Sequence, residues 1–236
     1  MNRLIINEDV IRRIADEVSP MVEEIIPWTV SHDSMSIEVL PRNRGYEEIL
    51  LGRLRGAGVD IDETGRRSIF ERLLEYVIED VVLAAYEPSL CRLYVLRENV
   101  DDSNPDGLRL IVAHELVHRA QHLKYPELFS RMDFVICDVC NHLSDGGSLK
   151  KAMARIRDIE PIMTLLESHA AYVQERLRST RFYEAKIETH FNLPTLLMRV
   201  FGRRKLKQYH TGIPSVIRNQ VMGNIDSLYQ QILLGK

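Results

Sequence analysis

The feature that constrains this chain most is the pentapeptide His114-Glu115-Leu116-Val117-His118, which follows an apolar-rich run. Residues four apart on an α-helix point in nearly the same direction and lie about 6 Å apart along the axis, so two imidazoles at this spacing can bind one metal ion. Glu115 lies about 100° around the helix from His114, where a carboxylate flanks the ion instead of binding it. The pattern predicts a helix that carries two zinc ligands and a general base. The alternative is a helix that holds these three residues by chance, since so short a motif recurs in unrelated sequences.

A catalytic zinc site needs a third protein ligand besides the two histidines. We predict Glu167 for this role, because a carboxylate in so apolar a segment is costly to bury unless it is paired or bound to a metal. Ala170 and Ala171 share its helical face and would let this helix lie close to the first one. His122 is nearer in sequence, but on a straight helix it would lie about 12 Å from His114 along the axis, too far to share one ion.

Further polar side chains are candidates to assist chemistry at such a site. Glu160 and Gln174 share the stripe of Glu167 by a spacing of seven and are predicted to be hydrogen-bond partners of the imidazoles. His169 lies about 200° from Glu167 on the helix, so it is predicted to be either a core histidine or a proton donor in catalysis. Tyr209, beside His210, is a candidate to stabilise a developing oxyanion or to hold substrate. The alternative for this pair is a basic surface loop.

Hydrophobic periodicity predicts six to eight helices and a minor pair of strands. The predicted helices cover residues 7–27 with a kink or interruption at Pro20, 64 or 68 to 86, 105–124, 125–145, 160–178, 181–202 and 214 to the C-terminus; the predicted strands lie within 28–41 and 91–96. The segment 42–64, rich in arginine and glycine, is interpreted as an irregular connection. Because 236 residues can bury one full core, we predict a single domain over residues 1–236, of the α+β class and predominantly α-helical with a small sheet.

Charge and cysteine content limit the function classes. The 31 Lys and Arg residues against 34 Asp and Glu residues give a net charge of −3, so no sequence-wide charge favours nucleic acid or an anionic membrane. No uncharged stretch approaches the roughly 20 residues that a membrane span requires, and the N-terminus turns acidic too early for a signal peptide. Cys91, Cys137 and Cys140 are too few for a disulfide framework and are interpreted as ordinary thiols. We therefore expect a cytoplasmic protein with no nucleic-acid or membrane partner.

Four separated blocks of the chain resemble one family. They are Ala85-Tyr86-Glu87-Pro88 with the strand that follows, the His114–His118 motif with Gln121, Leu166-Glu167-Ser168-His169-Ala170, and Lys205–Tyr209 with Gly212. The order and rough spacing of these blocks are similar to those of the zincin-like hydrolases. This family of metal-dependent enzymes is also associated with deazaflavin-cofactor biosynthesis and has no agreed substrate. The resemblance implies a mostly helical zincin-like fold, His114 and His118 as zinc ligands, Glu115 as the base and Glu167 as the third ligand. Residue 122, often aromatic in that family, is a histidine here, and the first 60 or so residues show no resemblance.

These observations predict a zinc-dependent hydrolase, and a peptidase of narrow specificity because an unrestrained cytoplasmic protease would damage the cell. Its partner would be a peptide or small amide substrate. One alternative is hydrolysis of a small amide or ester that is not a peptide. The other is a non-enzymatic helical scaffold in which zinc is structural, and such a site would be closed by four protein ligands.

Overall fold

A computed structural model of the chain describes residues 3–52, 75, 79, 82–185 and 225–235. These residues include five α-helices and three strands, in the order α1 Glu8–Glu23, β1 Ser36–Leu40, β2 Ala84–Glu87, β3 Arg92–Leu96, α2 Pro105–Lys124, α3 Pro126–Ser144, α4 Leu149–Thr180 and α5 Ile225–Leu233. Single helical turns, of 3-10 or π type, occur at Arg42–Arg44, Tyr46–Leu51 and Arg97–Asn99. The predicted class, α+β and predominantly helical with a small sheet, is confirmed. That residues 1–236 form a single domain stays a prediction.

Helix α2 lies at the centre of the fold, packed against α4, α1, β2 and α3. Its start follows the sequence signals, because the Asn104 side chain accepts a 2.9 Å hydrogen bond from the Gly107 N–H and Pro105 occupies the first turn. Every residue from Leu110 to Gln121 is buried, so the helix has no solvated face over this stretch. Polar side chains of this stretch therefore need partners inside the protein.

The sheet has the order β1-β3-β2, with β3 in the centre. Strand β1 runs parallel to β3, and β2 runs antiparallel to it through a tight turn in which Cys91 adopts φ 49°. The helix predicted to continue to Tyr86 is therefore wrong at its end, since residues 84–87 form a strand. The alanines at 84 and 85 favour helix on their own, but pairing with β3 decides their conformation. Most of residues 64–81 in that predicted helix lie outside the described part of the chain.

Two prolines of the described chain, Pro20 and Pro161, lie in the interior of a helix, beyond its first turn. Pro161 was predicted to open a helix, yet α4 is continuous across it. Likewise, α1 continues past Pro20 to Glu23 and is not interrupted. A proline inside a helix removes one backbone hydrogen bond at a cost of roughly 3 kcal/mol. Around Pro161, packing of α4 against both α2 and α3 offsets that cost, with Ile159 and Ile162 each 1% exposed.

Helices α1 and α5, towards the two ends of the described chain, both pack against α4. In α1, the Asn7 side chain accepts a hydrogen bond from the Val10 N–H, as predicted, and the apolar stripe of the helix packs on α2. Residues 181–185 form turns, so the helix predicted from Arg181 does not begin there. Helix α5 packs against α4 and carries Tyr229, which is fully buried.

Candidate metal centre

Three side chains from α2 and α4 converge at one point. The His118 Nε2 atom lies 3.2 Å from His114 Nε2 and 3.1 Å from Glu167 Oε1, and His114 Nε2 lies 3.6 Å from Glu167 Oε2. Within residues 3–52, 75, 79, 82–185 and 225–235, this is the one group of His, Cys, Asp and Glu residues that could hold a metal ion. The three residues predicted from the sequence as ligands are thus brought together.

The spacing of these donor atoms fits a tetrahedral metal site. Zinc binds imidazole nitrogen at about 2.0–2.1 Å and carboxylate oxygen at about 2.0–2.2 Å, which separates two donors in a tetrahedron by roughly 3.3–3.5 Å. The two imidazole nitrogens, 3.2 Å apart, are close to that separation, and they lie 3.1 and 3.6 Å from different oxygens of the Glu167 carboxylate. Two imidazoles and a carboxylate are also a donor set that zinc accepts. The site can therefore hold a metal ion, and zinc as its identity stays a prediction.

The charges of Glu167 and His118 stabilise each other in the metal-free protein. Burial on its own would raise the pKa of Glu167, but the adjacent imidazoles of His118 and His114 outweigh it and lower the pKa to about 2. Burial would lower the pKa of His118, but the Glu167 carboxylate in particular raises it to about 9. The Glu167 carboxylate and the His118 imidazolium, 3.1 Å apart, compensate for each other's loss of hydration. A metal cation can replace the His118 proton as the positive charge next to Glu167.

Glu115 lies against the sheet, next to the ligand cluster. Its Oε2 atom accepts a 2.8 Å hydrogen bond from the Tyr86 N–H of strand β2, and its side chain is almost fully buried. Burial raises the pKa of Glu115, opposed by the attraction of His118 and His114. A raised pKa makes a carboxylate a stronger base than an ordinary glutamate. That Glu115 is the general base of a hydrolysis reaction stays a prediction.

Gln121 is a polar residue of this site to which the sequence reasoning gave no role. The His118 Nδ1–H donates to Gln121 Oε1 across 2.8 Å, and Gln121 Nε2 donates to the Leu166 carbonyl across 2.9 Å. The sequence showed only that this amide follows a ligand by three residues on the same helical face, and its burial is known from the structure. Gln174, predicted for this kind of role, instead donates to the Leu110 carbonyl across 3.3 Å.

His169 lies in a separate buried cluster and is not one of the converging ligands. Its Nδ1 atom is 3.0 Å from the Tyr229 hydroxyl, and its ring meets that of Trp28 edge to face. Burial lowers the pKa of His169 to about 3, so the imidazole is neutral at physiological pH. This environment matches the core histidine considered as one alternative, while a role as proton donor to substrate stays a prediction.

The C-terminal helix closes this cluster with two side chains. Asp226 of α5 accepts hydrogen bonds from Trp28 Nε1, at 3.0 Å, and from the Tyr125 hydroxyl. Tyr229 stacks on Tyr125 with ring centroids 4.5 Å apart. Sequence reasoning did not identify Tyr229, because 60 residues separate it from His169. Tyr209 and His210, the tyrosine and histidine that were predicted to assist, lie outside the described residues.

His122 has a different environment from the ligands, as the helical geometry predicted. Its Nδ1 atom lies 2.9 Å from the Tyr86 hydroxyl, which also accepts a 2.9 Å hydrogen bond from Arg119. Arg119 donates further to Ser34 Oγ and to the Ser31 carbonyl. Burial raises the pKa of Tyr86 to about 12, so its hydroxyl remains protonated. These bonds fix the sheet against the C-terminal half of α2.

Comparison with known proteins gives no match to a family model, a curated protein or a solved structure. The resemblance to zincin-like hydrolases therefore stays a prediction. None of the helices in the described part of the chain is both long enough and apolar enough to cross a lipid bilayer.

Proposed function

We propose that this protein is a zinc-dependent hydrolase, and more narrowly a peptidase that accepts few substrates. The observation that carries the proposal is the convergence of His114, His118 and Glu167 at metal-binding distance, with the buried carboxylate of Glu115 next to His114 on α2. When bound, zinc supplies a Lewis acid that acidifies water and polarises the carbonyl group of a substrate.

The protein side chains have two roles, metal binding and proton transfer. His114, His118 and Glu167 would hold the ion, as three protein ligands typical of a catalytic zinc. Glu115 has one carboxylate oxygen fixed by the Tyr86 N–H, which would leave its other oxygen to take a proton from water. The same carboxyl then passes that proton to the leaving amine.

The composition of the ligand set favours catalysis over a structural metal. A structural zinc is held by four protein ligands, whereas a catalytic zinc keeps three and an open position. The described residues contribute three donors to the cluster. A buried carboxylate next to the ligands, with its pKa raised by burial, has a use in catalysis that a structural site does not require.

Replacing Glu115 with glutamine tests the mechanism. Glutamine keeps the size of the side chain and an oxygen that can accept from the Tyr86 N–H, but it is not a base. We expect Glu115→Gln to bind one zinc per chain, measured by elemental analysis, and to lose at least about 100-fold in hydrolysis rate. Glu127→Gln, an exposed change at the start of α3, is the matched control and should retain full activity. Undiminished hydrolysis by Glu115→Gln would remove Glu115 from the mechanism.

The substrate class is tested with the same pair of variants. A library of quenched fluorescent peptides, unfolded casein, and small chromogenic amides and esters are each incubated with the zinc-loaded protein. We expect cleavage of a few peptides and little degradation of casein. Cleavage of small amides or esters alone would support the non-peptidase alternative, and a zinc-loaded protein inactive on all of them would favour the scaffold.

The cytoplasmic location belongs to the same proposal. Cys91, Cys137 and Cys140, all in the described part of the chain, form no disulfide with one another, which supports a reducing compartment. That the protein has no nucleic-acid or membrane partner stays a prediction from its balanced charge.

A further inference from the structure

The orientation of the Gln121 amide is determined by its partners. The Leu166 carbonyl is only an acceptor, so the group 2.9 Å from it must be the amide nitrogen of Gln121. The amide oxygen therefore faces His118 Nδ1, at 2.8 Å. Reversing the amide would place two acceptors against each other at Leu166, inside a helix interface where water cannot relieve the conflict.

This orientation determines the tautomer of His118. The Gln121 oxygen can only accept, so His118 Nδ1 must carry a proton whenever the bond is made. The remaining nitrogen, Nε2, is the one that lies 3.2 Å from His114 Nε2 and 3.1 Å from Glu167 Oε1. In neutral His118 the lone pair is thus on the nitrogen that points into the cluster, as metal binding requires.

Gln121 also links the two helices that supply the ligands. It is on α2 with His118, and its partner Leu166 immediately precedes Glu167 on α4. Gln121 is completely buried, so no water competes for its two hydrogen bonds. One side chain therefore fixes both the ring of one ligand and the backbone next to another.

We propose that Gln121 is a positioning residue of the metal centre, which holds His118 in the tautomer and ring orientation that place the Nε2 lone pair on the ion. This inference rests on the proposed metal site but not on hydrolysis by it. Partners of this kind typically contribute 10–100-fold to metal affinity.

Two substitutions at position 121 separate positioning of the ring from spacing of the helices. Gln121→Met keeps the length of the side chain and removes both hydrogen bonds. Gln121→Glu keeps an acceptor for His118 Nδ1–H but sets a carboxylate against the Leu166 carbonyl. We expect zinc affinity, measured by competition with a chelator, to fall about 10–100-fold in Gln121→Met and to be largely recovered in Gln121→Glu. If the residue acts only by spacing the helices, Gln121→Glu should bind zinc no better than Gln121→Met, and that result would overturn the proposal.

Gln174 offers a matched control on the same pair of helices. Its amide also joins α4 to a backbone carbonyl of α2, that of Leu110, but it bonds to neither imidazole in the described structure. Gln174→Met should lower the free energy of unfolding in the same way as Gln121→Met and leave zinc affinity unchanged. Equal losses of zinc affinity in the two methionine variants would mean that helix packing alone is being measured.

Nitrogen-15 NMR of the wild-type protein shows which ring nitrogen of each histidine carries a proton. In the zinc-loaded protein, His118 should show a proton on Nδ1 and none on Nε2, and binding of zinc through Nδ1 would refute the inference. Zinc affinity that depends on Gln121 in a protein without hydrolase activity would support the inference and contradict the proposed function. A wild-type protein that binds no zinc would overturn both.

Discussion

The backbone N–H of Tyr86 donates to Glu115 Oε2 across 2.8 Å, so the sheet holds the carboxylate that flanks the metal ligands. The Tyr86 side chain continues along α2, where its hydroxyl meets Arg119 and His122. One residue of β2 therefore contacts α2 at two levels, through its main chain at the candidate base and through its phenol one turn further on. The two contacts can be separated by mutation, because only the second depends on the side chain.

Tyr86→Phe should destabilise the protein without disabling the site. Loss of the hydroxyl removes the acceptor of the buried Arg119 N–H and the partner of His122 Nδ1, at a cost of about 1–3 kcal/mol in the free energy of unfolding. The backbone bond to Glu115 remains, so we expect zinc affinity and any hydrolysis rate to change by less than about threefold. Chemical denaturation monitored by circular dichroism gives the first quantity. Tyr183→Phe, at a tyrosine that is 74% exposed, is the control and should change neither. A large loss of activity with unchanged stability would assign the Tyr86 hydroxyl to the chemistry.

Glu167→Gln should remove most of the metal affinity. The amide has no charge to offer the ion and cannot hold His118 protonated, so zinc binding should weaken by more than the 10–100-fold expected of a supporting residue. Equilibrium dialysis followed by elemental analysis measures the effect. Glu175→Gln, eight residues further along α4 in an exposed pair with Arg178, should bind zinc as the wild type does. Full zinc occupancy in Glu167→Gln at micromolar zinc would remove Glu167 from the ligand set.

Zinc binding should release a proton and strengthen with pH. In the metal-free protein the pKa of His118 is raised from 6.5 to about 9, so near pH 7 its ring is protonated and the ion must displace that proton. Glu167, with a pKa of about 2, is already ionised and releases none. Affinity should rise about tenfold per pH unit between pH 7 and 8.5. Calorimetric titrations in buffers of different ionisation enthalpy count the released protons, and an affinity that does not vary with pH would contradict the assignment.

The raised pKa of His118 also makes the stability of the metal-free protein depend on pH. Because the folded pKa of His118 lies above its unfolded value and that of Glu167 below, their pairing stabilises the metal-free protein fully between pH 4.5 and 6.5 and is lost as pH rises towards 9. Unfolding of the metal-free protein should therefore become easier across this range. Glu167→Gln should lack this dependence, since its residue 167 carries no charge.

Sequence reasoning was most successful where the signal is local. The start of α2 follows from Asn104 and Pro105, whose side chains act within one helical turn. Glu167 was also predictable, because a carboxylate on an apolar stripe must find a partner wherever that stripe is buried. By contrast, the strand at residues 84–87 depends on pairing with β3, which outweighs a local preference for helix. The role of Gln121 depends on which carbonyl of α4 lies opposite it, and no pattern within α2 specifies that.

Asp226 should be an anchor for the C-terminal helix. Its carboxylate accepts from Trp28 Nε1 and from the Tyr125 hydroxyl, and Tyr229 one turn later packs on both of those rings. Asp226→Ala leaves two largely buried donors without an acceptor, at a cost of about 1–3 kcal/mol each. Because Trp28 is the only tryptophan, its fluorescence reports on this contact directly, and we expect emission at longer wavelength as water reaches the indole. Gln230→Ala, on an exposed position of the same helix, should leave both emission and stability unchanged. An unshifted spectrum in Asp226→Ala would mean that Trp28 is held by its ring contacts alone, with His169 at 5.2 Å and Tyr229 at 5.1 Å between ring centroids.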